Sequence, residues 1–270
     1  MNVTAQLGAQ LDGGAVTSPS NISSIEDLSI SSLTKSYDGQ APVLRDISFK
    51  IRRGEAVALV GANGTGKSTL MRCCLRLIEP DTGGVEMLGT DITGLSRKAL
   101  RDVRAQAGFI FQRHNLVPRF SALSNVVHGA QAWARGPRTW HQALASKAVR
   151  EEAMYCLDLV GLADFAKRRV DQLSGGQSQR VAIARALMQR PRIMLADEPV
   201  ASLDPKAGEE VMELFVRLIK SQGLTLFYSS HHLEHAIGYS DRILGLRGGV
   251  VALDGASNGQ NVNSLRGIYD

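Results

Sequence analysis

Short apolar runs bounded by glycine and polar residues alternate with stretches of helical spacing along most of this chain. Ala56-Val57-Ala58-Leu59-Val60 is apolar and β-branched, the pattern of a short buried strand, and Lys67 to Ile78 beyond it reads as a helix. Upstream, Leu28 to Ile51 offers strands around a turn at Asp38-Gly39-Gln40. Downstream, Val85 to Thr90 is another short strand and Ser96 to Gln106 a helix capped by its serine. Residues 113–180 are mostly helical, with a break at Gly136-Pro137. Met154, Leu157 and Val160 recur there at helical spacing and are read as core. From Pro191 onward strands and helices alternate, with Arg192 to Ala196 and Thr225 to Ser229 as strands. A parallel sheet with crossover helices requires that order, so the fold class is α/β.

Composition narrows the setting. At 270 residues the chain can bury a sizeable core, and no apolar run approaches the ~18 residues of a membrane span. The N-terminus lacks a basic segment followed by an apolar one, so no secretory signal is visible. Cys73, Cys74 and Cys156 have neither metal spacing nor the look of a disulfide framework, which suits a reducing cytosol. Residues 1–27 are rich in Ser, Gly, Thr, Ala and Asn and read as a disordered extension. The net charge of +5 favours anionic surroundings, a membrane inner leaflet as well as nucleic acid, and does not choose between them.

Three local patterns bring chemistry. Gly61-Ala62-Asn63-Gly64-Thr65-Gly66-Lys67-Ser68 is a phosphate-cradling loop between a predicted strand and a predicted helix. Its glycines let backbone N–H groups wrap phosphate oxygens, and the helix N-terminus adds unpaired donors. Lys67 reaches the β- and γ-phosphates, Ser68 ligates Mg²⁺, and Thr69 follows them on the helix as part of the nucleotide-binding set. Asp197 and Glu198 end a buried strand, a costly place for two carboxylates unless a metal or a proton needs them. Asp197 is assigned to Mg²⁺, and Glu198, projecting differently one residue on, to general-base work on a water attacking the γ-phosphate. A solvated pair at a strand end is the bland alternative, and the P-loop upstream weighs against it. Ser174-Gly175-Gly176, ahead of the predicted helix Gln177 to Gln189, is a second anion-binding helix terminus, although one nucleotide does not obviously need two.

Leu173-Ser174-Gly175-Gly176-Gln177, lying between the two nucleotide motifs, resembles the signature of ATP-binding-cassette (ABC) ATPases, and the resemblance runs from about Leu28 to the C-terminus. It implies a P-loop NTPase of the ABC type, a RecA-like core with an antiparallel β-subdomain and an inserted helical subdomain. The ATPase domain would cover residues 28–254, with the helical part at about 113–180 and a short tail at 255–270. It also implies that ATP and Mg²⁺ bind between two copies paired head to tail, Ser174 to Gln177 of one closing over the γ-phosphate held by the other. Position by position, Tyr37 matches the aromatic that stacks on adenine, Gln112 the glutamine that touches Mg²⁺ or the attacking water, and Asp204 the loop that crosses the dimer interface. His231 matches the switch histidine and is chosen over His232 for its interval to Asp241. Read alone, Tyr37 is a strand aromatic packing on a core, Gln112 a polar loop residue and Asp204 a helix cap; their order and spacing around the motifs lift them.

The segment from Gln112 to the signature, about 60 residues, is too short for the coiled-coil insertion of chromosome-maintenance relatives, which favours a transporter subunit. Phe111-Gln112-Arg113-His114-Asn115, the Thr139-Trp140 pair, Pro199-Val200-Ala201-Ser202 and the ending Leu265-Arg266-Gly267-Ile268-Tyr269 are similar to ATP-binding subunits of phosphonate importers. The expectation is an ATP hydrolase at the cytoplasmic membrane face. It would serve permease subunits directly and a solute-binding protein indirectly, with phosphonate or a related oxyanion as cargo and no nucleic acid partner. An importer of amino acids or another anion, or a cassette acting on nucleic acid or a soluble complex, stands as the alternative. Asn63-Gly64-Thr65 and Ser178 depart from the commoner residues of the family without removing a donor, ligand or charge.

Overall fold

The computed structural model describes residues 25–37, 39, 41–112, 115–134 and 136–269. Most of the expected N-terminal extension, Asp38 and Gln40 of the expected turn, and Arg113-His114 therefore lie outside the described residues. In chain order the elements are β1 (Glu26–Lys35), β2 (Leu44–Arg52), β3 (Ala56–Val60), α1 (Lys67–Cys74), β4 (Thr82–Met87), β5 (Thr90–Asp91), α2 (Arg97–Arg104) and β6 (Ala107–Ile110). Then come α3 (Ala122–Val127), α4 (Lys147–Leu159), α5 (Gly175–Leu187), β7 (Ile193–Ala196), α6 (Pro205–Ser221), β8 (Thr225–Ser229), α7 (Leu233–Tyr239), β9 (Arg242–Arg247), β10 (Val250–Ala256) and α8 (Val262–Arg266).

Two sheets result. An antiparallel sheet has the order β2-β1-β4-β5, and a six-stranded sheet the order β10-β9-β3-β8-β7-β6. In the second, β9, β3, β8, β7 and β6 run parallel and only β10 pairs antiparallel. All five residues of β3 are buried, and their alternation feeds two cores. Ala56, Ala58 and Val60 face the cluster that holds α3 to α6, while Val57 and Leu59 face the one shared with α1 and the antiparallel sheet. Phe49 of β2 meets Phe227 of β8 at 5.5 Å between ring centroids, joining the sheets.

Three boundaries differ from the sequence reading, each for a local reason. The fold begins before Leu28: Asp27 is buried and accepts from the Thr225 hydroxyl at 2.5 Å and from Arg53 Nε at 3.2 Å. A buried carboxylate so partnered anchors the start of the strand. Helix α1 stops at Cys74, short of Ile78, because Arg76 turns left-handed (φ 49°) and the amides of Arg76 and Leu77 close back on Cys73 O and Arg72 O. Within residues 255–269, expected as a short tail, there is regular structure. Strand β10 continues to Ala256, and α8 buries Leu265 in the core. Between Gln112 and the signature the described helices are short, α4 being the longest. Leu157 and Val160 are core as expected, with Met154 packed against it, and Gly136 (φ 100°) opens a single 3₁₀ turn at Pro137–Thr139.

The cysteines are free and buried. Burial pushes the thiol of Cys73 up to about 11 and that of Cys156 up to about 12, and raises Cys74 as well. Raised values leave little thiolate at pH 8, and the packing denies access. Iodoacetamide at that pH is expected to leave all three unmodified in the native protein and to modify all three in urea, read by mass spectrometry. Labelling of the native protein at the urea rate would contradict this packing. Among the described residues no helix is long and apolar enough to cross a membrane.

Candidate nucleotide-binding site

Four of the five parallel strands end side by side, and each of these carboxyl ends delivers a functional residue to the same crevice, the place where open α/β sheets bind ligands. Strand β3 runs into Gly61, its neighbour β8 into Ser229, Ser230 and His231, β7 into Asp197 and Glu198, and β6 into Gln112. The pairings Leu59 with Ser229, Ala196 with Tyr228 and Ile110 with Ala196 keep these ends level. They enclose a cavity of about 650 Å³ whose wall includes Ala62, Asn63, Gly64, Gly66, Lys67, Ser68, Thr69, Gln112, Glu198 and His231.

The loop needs its glycines. Gly61 takes φ 152°, where a Cβ would lie 2.2 Å from Leu246 O, and Gly66 takes the left-handed φ 102° that starts α1, where a Cβ would meet Leu44 Cδ2 at 2.8 Å. The Thr65 hydroxyl donates to Ala62 O at 2.8 Å and closes the turn, so the departure at Asn63-Gly64-Thr65 keeps the loop pinned. Lys67, 5 % exposed, donates from Nζ to Gly61 O at 2.8 Å and Ala62 O at 3.1 Å and stands 3.8 Å from Glu198 Oε1. Burial lowers its pKa, and the charges of Glu198 and Asp197 oppose that shift. Its ammonium thus sits among carbonyls that a phosphate oxygen can replace.

Asp197 is 1 % exposed, and its Oδ1 accepts from the hydroxyls of Ser68 and Ser229, each at 3.0 Å. Its Oδ2 is buried with no hydrogen-bond partner. A carboxylate oxygen left open beside a serine hydroxyl is a hard, all-oxygen donor pair, the chemistry Mg²⁺ takes. Glu198 is left-handed (φ 48°), a strain of about 1–2 kcal/mol in a non-glycine residue, and it turns the side chain away from the direction Asp197 takes. Its backbone N–H donates to Ser229 Oγ at 2.9 Å, Gln112 Nε2 donates to its Oε2 at 3.1 Å, and His231 Nδ1 lies 4.0 Å from the same oxygen. His232 does not line this cavity; its ring stacks on His231 at 4.1 Å and the residue caps α7. Tyr37 stands at the rim, 39 % exposed, sharing a 3.3 Å hydrogen bond with the Thr69 hydroxyl.

The second anion-binding terminus lies elsewhere. None of Ser174, Gly175, Gly176 and Gln177 lines the cavity, and Ser174 and Gly175 are exposed. Ser174 caps α5, accepting from Gln177 N at 3.2 Å while Gln177 Oε1 accepts from Ser174 N at 3.0 Å. Asp204 is exposed as well and caps α6 through Ala207 N at 3.0 Å, as its alternative reading has it. Four residues at the site escaped the motifs. Ser229 donates to the Asp197 carboxylate and accepts from the Glu198 backbone N–H, and Val43, Ala201 and Tyr269 line the cavity. Ala201 and Tyr269 belonged to stretches singled out in the sequence, Pro199 to Ser202 and Leu265 to Tyr269, and Ser229 closed a predicted strand, but none was assigned to the site.

Two sheets, a P-loop between parallel strands and paired carboxylates at the next strand end but one define an ATP-binding cassette. The model of the "ABC transporter" family matches residues 44–201. The chain is 41 % identical over 242 residues to the phosphonates import ATP-binding protein PhnC 2 of Oceanobacillus iheyensis, covering 90 % of this chain and 95 % of that one. It is 43 % identical to the phosphonates import ATP-binding protein PhnC of Wolinella succinogenes, covering 90 % and 88 %. Among solved structures it resembles the dimeric post-hydrolysis state of the ATP-binding cassette MJ0796 bound to ADP and Pi, with TM-score 0.76, 34 % identity and coverage of 86 % and 100 %. It also resembles cbiO1 of Clostridium perfringens, part of the transporter complex cbiONQ, with TM-score 0.76, 29 % identity and coverage of 87 % and 90 %. The chain belongs to the ABC transporter family, and it is one of that family's ATPases.

Proposed function

We propose that this ATPase is the energy-supplying subunit of an importer for phosphonates or a related oxyanion. The observation that carries the hydrolytic part is the convergence of Lys67, Ser68, Glu198, Gln112 and His231 on one cavity from four adjacent strand ends, with the buried Asp197 bonded to Ser68 behind its wall. The PhnC relatives, named for phosphonate import, support the cargo.

In this reading Gly61 to Thr69 hold the triphosphate and Tyr37 stacks against adenine, an interaction of about 1–3 kcal/mol. Glu198 takes the proton of the attacking water while Gln112 fixes its carboxylate, and His231 faces the γ-phosphate. Ser68, Asp197 and Gln112 would hold Mg²⁺, which supplies charge neutralisation of the phosphates when bound. Ser174 to Gln177 and Asp204, which do not line the cavity of their own chain, serve the nucleotide of a second copy in a head-to-tail dimer. The dimeric cassette of known structure supports that arrangement. ATP then holds the pair closed through a γ-phosphate shared across the seam, and hydrolysis releases it. The pair docks on permease subunits at the cytoplasmic face of the membrane, a solute-binding protein supplying the cargo to them from the other side.

Co-expression with a multi-span permease and a phosphonate-binding protein tests this. The chain is expected in the membrane fraction only with the permease, and methylphosphonate uptake is expected to require it. Retention on polynucleotide with a steep salt slope, and no uptake, would favour the nucleic-acid alternative.

A further inference from the structure

The C-terminal segment is held down by more than its short helix. Asn261 and Ser264 form a capping box on α8, Leu265 is fully buried and Ile268 is 7 % exposed. Arg247 Nη1 donates to Gly267 O at 2.9 Å. Residue 245 of β9 is a glycine at the point where a Cβ would meet Ile268 Cδ1 at 2.5 Å. So fixed, the segment places Tyr269 on the wall of the nucleotide cavity with Lys67, Glu198 and His231.

Its hydroxyl is buried and makes no hydrogen bond. Burial raises its pKa, with the nearby Gly61 backbone opposing that shift, so the group is a neutral O–H with an unspent donor at physiological pH. A buried hydroxyl left unpaired is costly, and such groups are retained where a ligand, water or moving side chain completes them. The carboxylates whose charge it senses are Glu198 and Glu234, and of these Glu198 lines the same cavity.

We propose that Tyr269 is a positioning residue for ATP hydrolysis: its side chain buttresses the P-loop at Gly61, and in the loaded cavity its O–H donates through a water to Glu198, holding that carboxylate toward the attacking water. The chain ending is then part of the active site and not a tail beyond it. This rests on the reading of Glu198 as the base.

The test uses the full chain with Tyr269→Phe, Glu198→Gln and the double variant, each assayed for ATP turnover and thermal midpoint. Phe keeps the ring and its packing and removes only the hydroxyl. The expected result is a kcat about tenfold lower with KM for ATP within about twofold, at an unchanged midpoint. On the Glu198→Gln background the same change is expected to have no further effect, because the hydroxyl acts through the carboxylate. Tyr269→Ala, which also removes the packing, is expected to lower the midpoint. Wild-type kcat in Tyr269→Phe, a loss confined to KM, or an equal tenfold loss on both backgrounds would overturn the proposal. If Glu198→Gln itself turned over ATP at the wild-type rate, the assignment of the base would fall instead.

Discussion

Glu198→Gln is expected to lower ATP turnover by about 10²–10⁴-fold, the worth of a positioned general base, while ATP binding stays within a few-fold of wild type. The two effects separate because the groups that hold the nucleotide are distinct from the one that takes the proton. Lys67, Ser68 and Asp197 keep their hydrogen bonds in the variant, and the P-loop glycines are untouched. A glutamine accepts the Gln112 Nε2 bond through its Oε1 as the carboxylate does, and it keeps the backbone N–H bond to Ser229, so the left-handed turn survives. Only basicity is lost, together with the weak attraction to Lys67 at 3.8 Å. With ATP bound and not consumed, the closed pair should accumulate. Size exclusion with and without ATP reads the dimer, and phosphate release reads the rate. A variant that stays monomeric with ATP and hydrolyses at the wild-type rate would remove Glu198 from the mechanism.

What the sequence made legible were the groups whose chemistry is written in consecutive residues. The P-loop and the Asp197-Glu198 pair each occupy one short run flanked by a recognisable strand, so spacing and type locate them without knowing the sheet order. Strand β3 and strand β8 have the same limits in the structure as in the sequence pattern, because each is a short, fully buried run bounded by polar or glycine residues. Gln112, His231 and Tyr37 are single residues, and only their order around the motifs pointed to them. Ser229 and Tyr269 had no such pointer. The role of a serine at a strand end is decided by which strand lies beside it, here β7. The place of Tyr269 depends on how α8 folds back over β9, a tertiary event that no local propensity encodes. The early end of α1 has the same origin, since Arg76 leaves the helix to reach the carbonyls of Ile92 and Leu95 from a distant loop.

Gly176→Asp is expected to leave ATP binding by the isolated chain within about twofold of wild type and to reduce hydrolysis by about 10²-fold or more, with loss of the ATP-induced dimer. The own-chain part follows from space and conformation. A Cβ at residue 176 meets only Ala207 and Val211, at 3.7 and 3.8 Å, which is ordinary contact, and no left-handed backbone is required there. A carboxylate in the first turn of α5 also suits the positive end of the helix, so the fold should be no weaker. The cavity formed by Lys67, Ser68 and Glu198 contains no residue of the signature, so the bound nucleotide of the same chain does not meet the new charge. In the proposed head-to-tail pair, however, that first turn would face the γ-phosphate of the other copy. The aspartate there spends the helix dipole internally and sets like charge against the phosphate, so the seam cannot close. Lys67→Ala, by contrast, should lose binding and hydrolysis together, and comparison of the two by fluorescent-nucleotide titration and phosphate release makes the division visible. If Gly176→Asp lost nucleotide affinity as monomeric Lys67→Ala does, the signature would belong to its own chain's site. If it hydrolysed ATP normally, the signature would belong to no site at all.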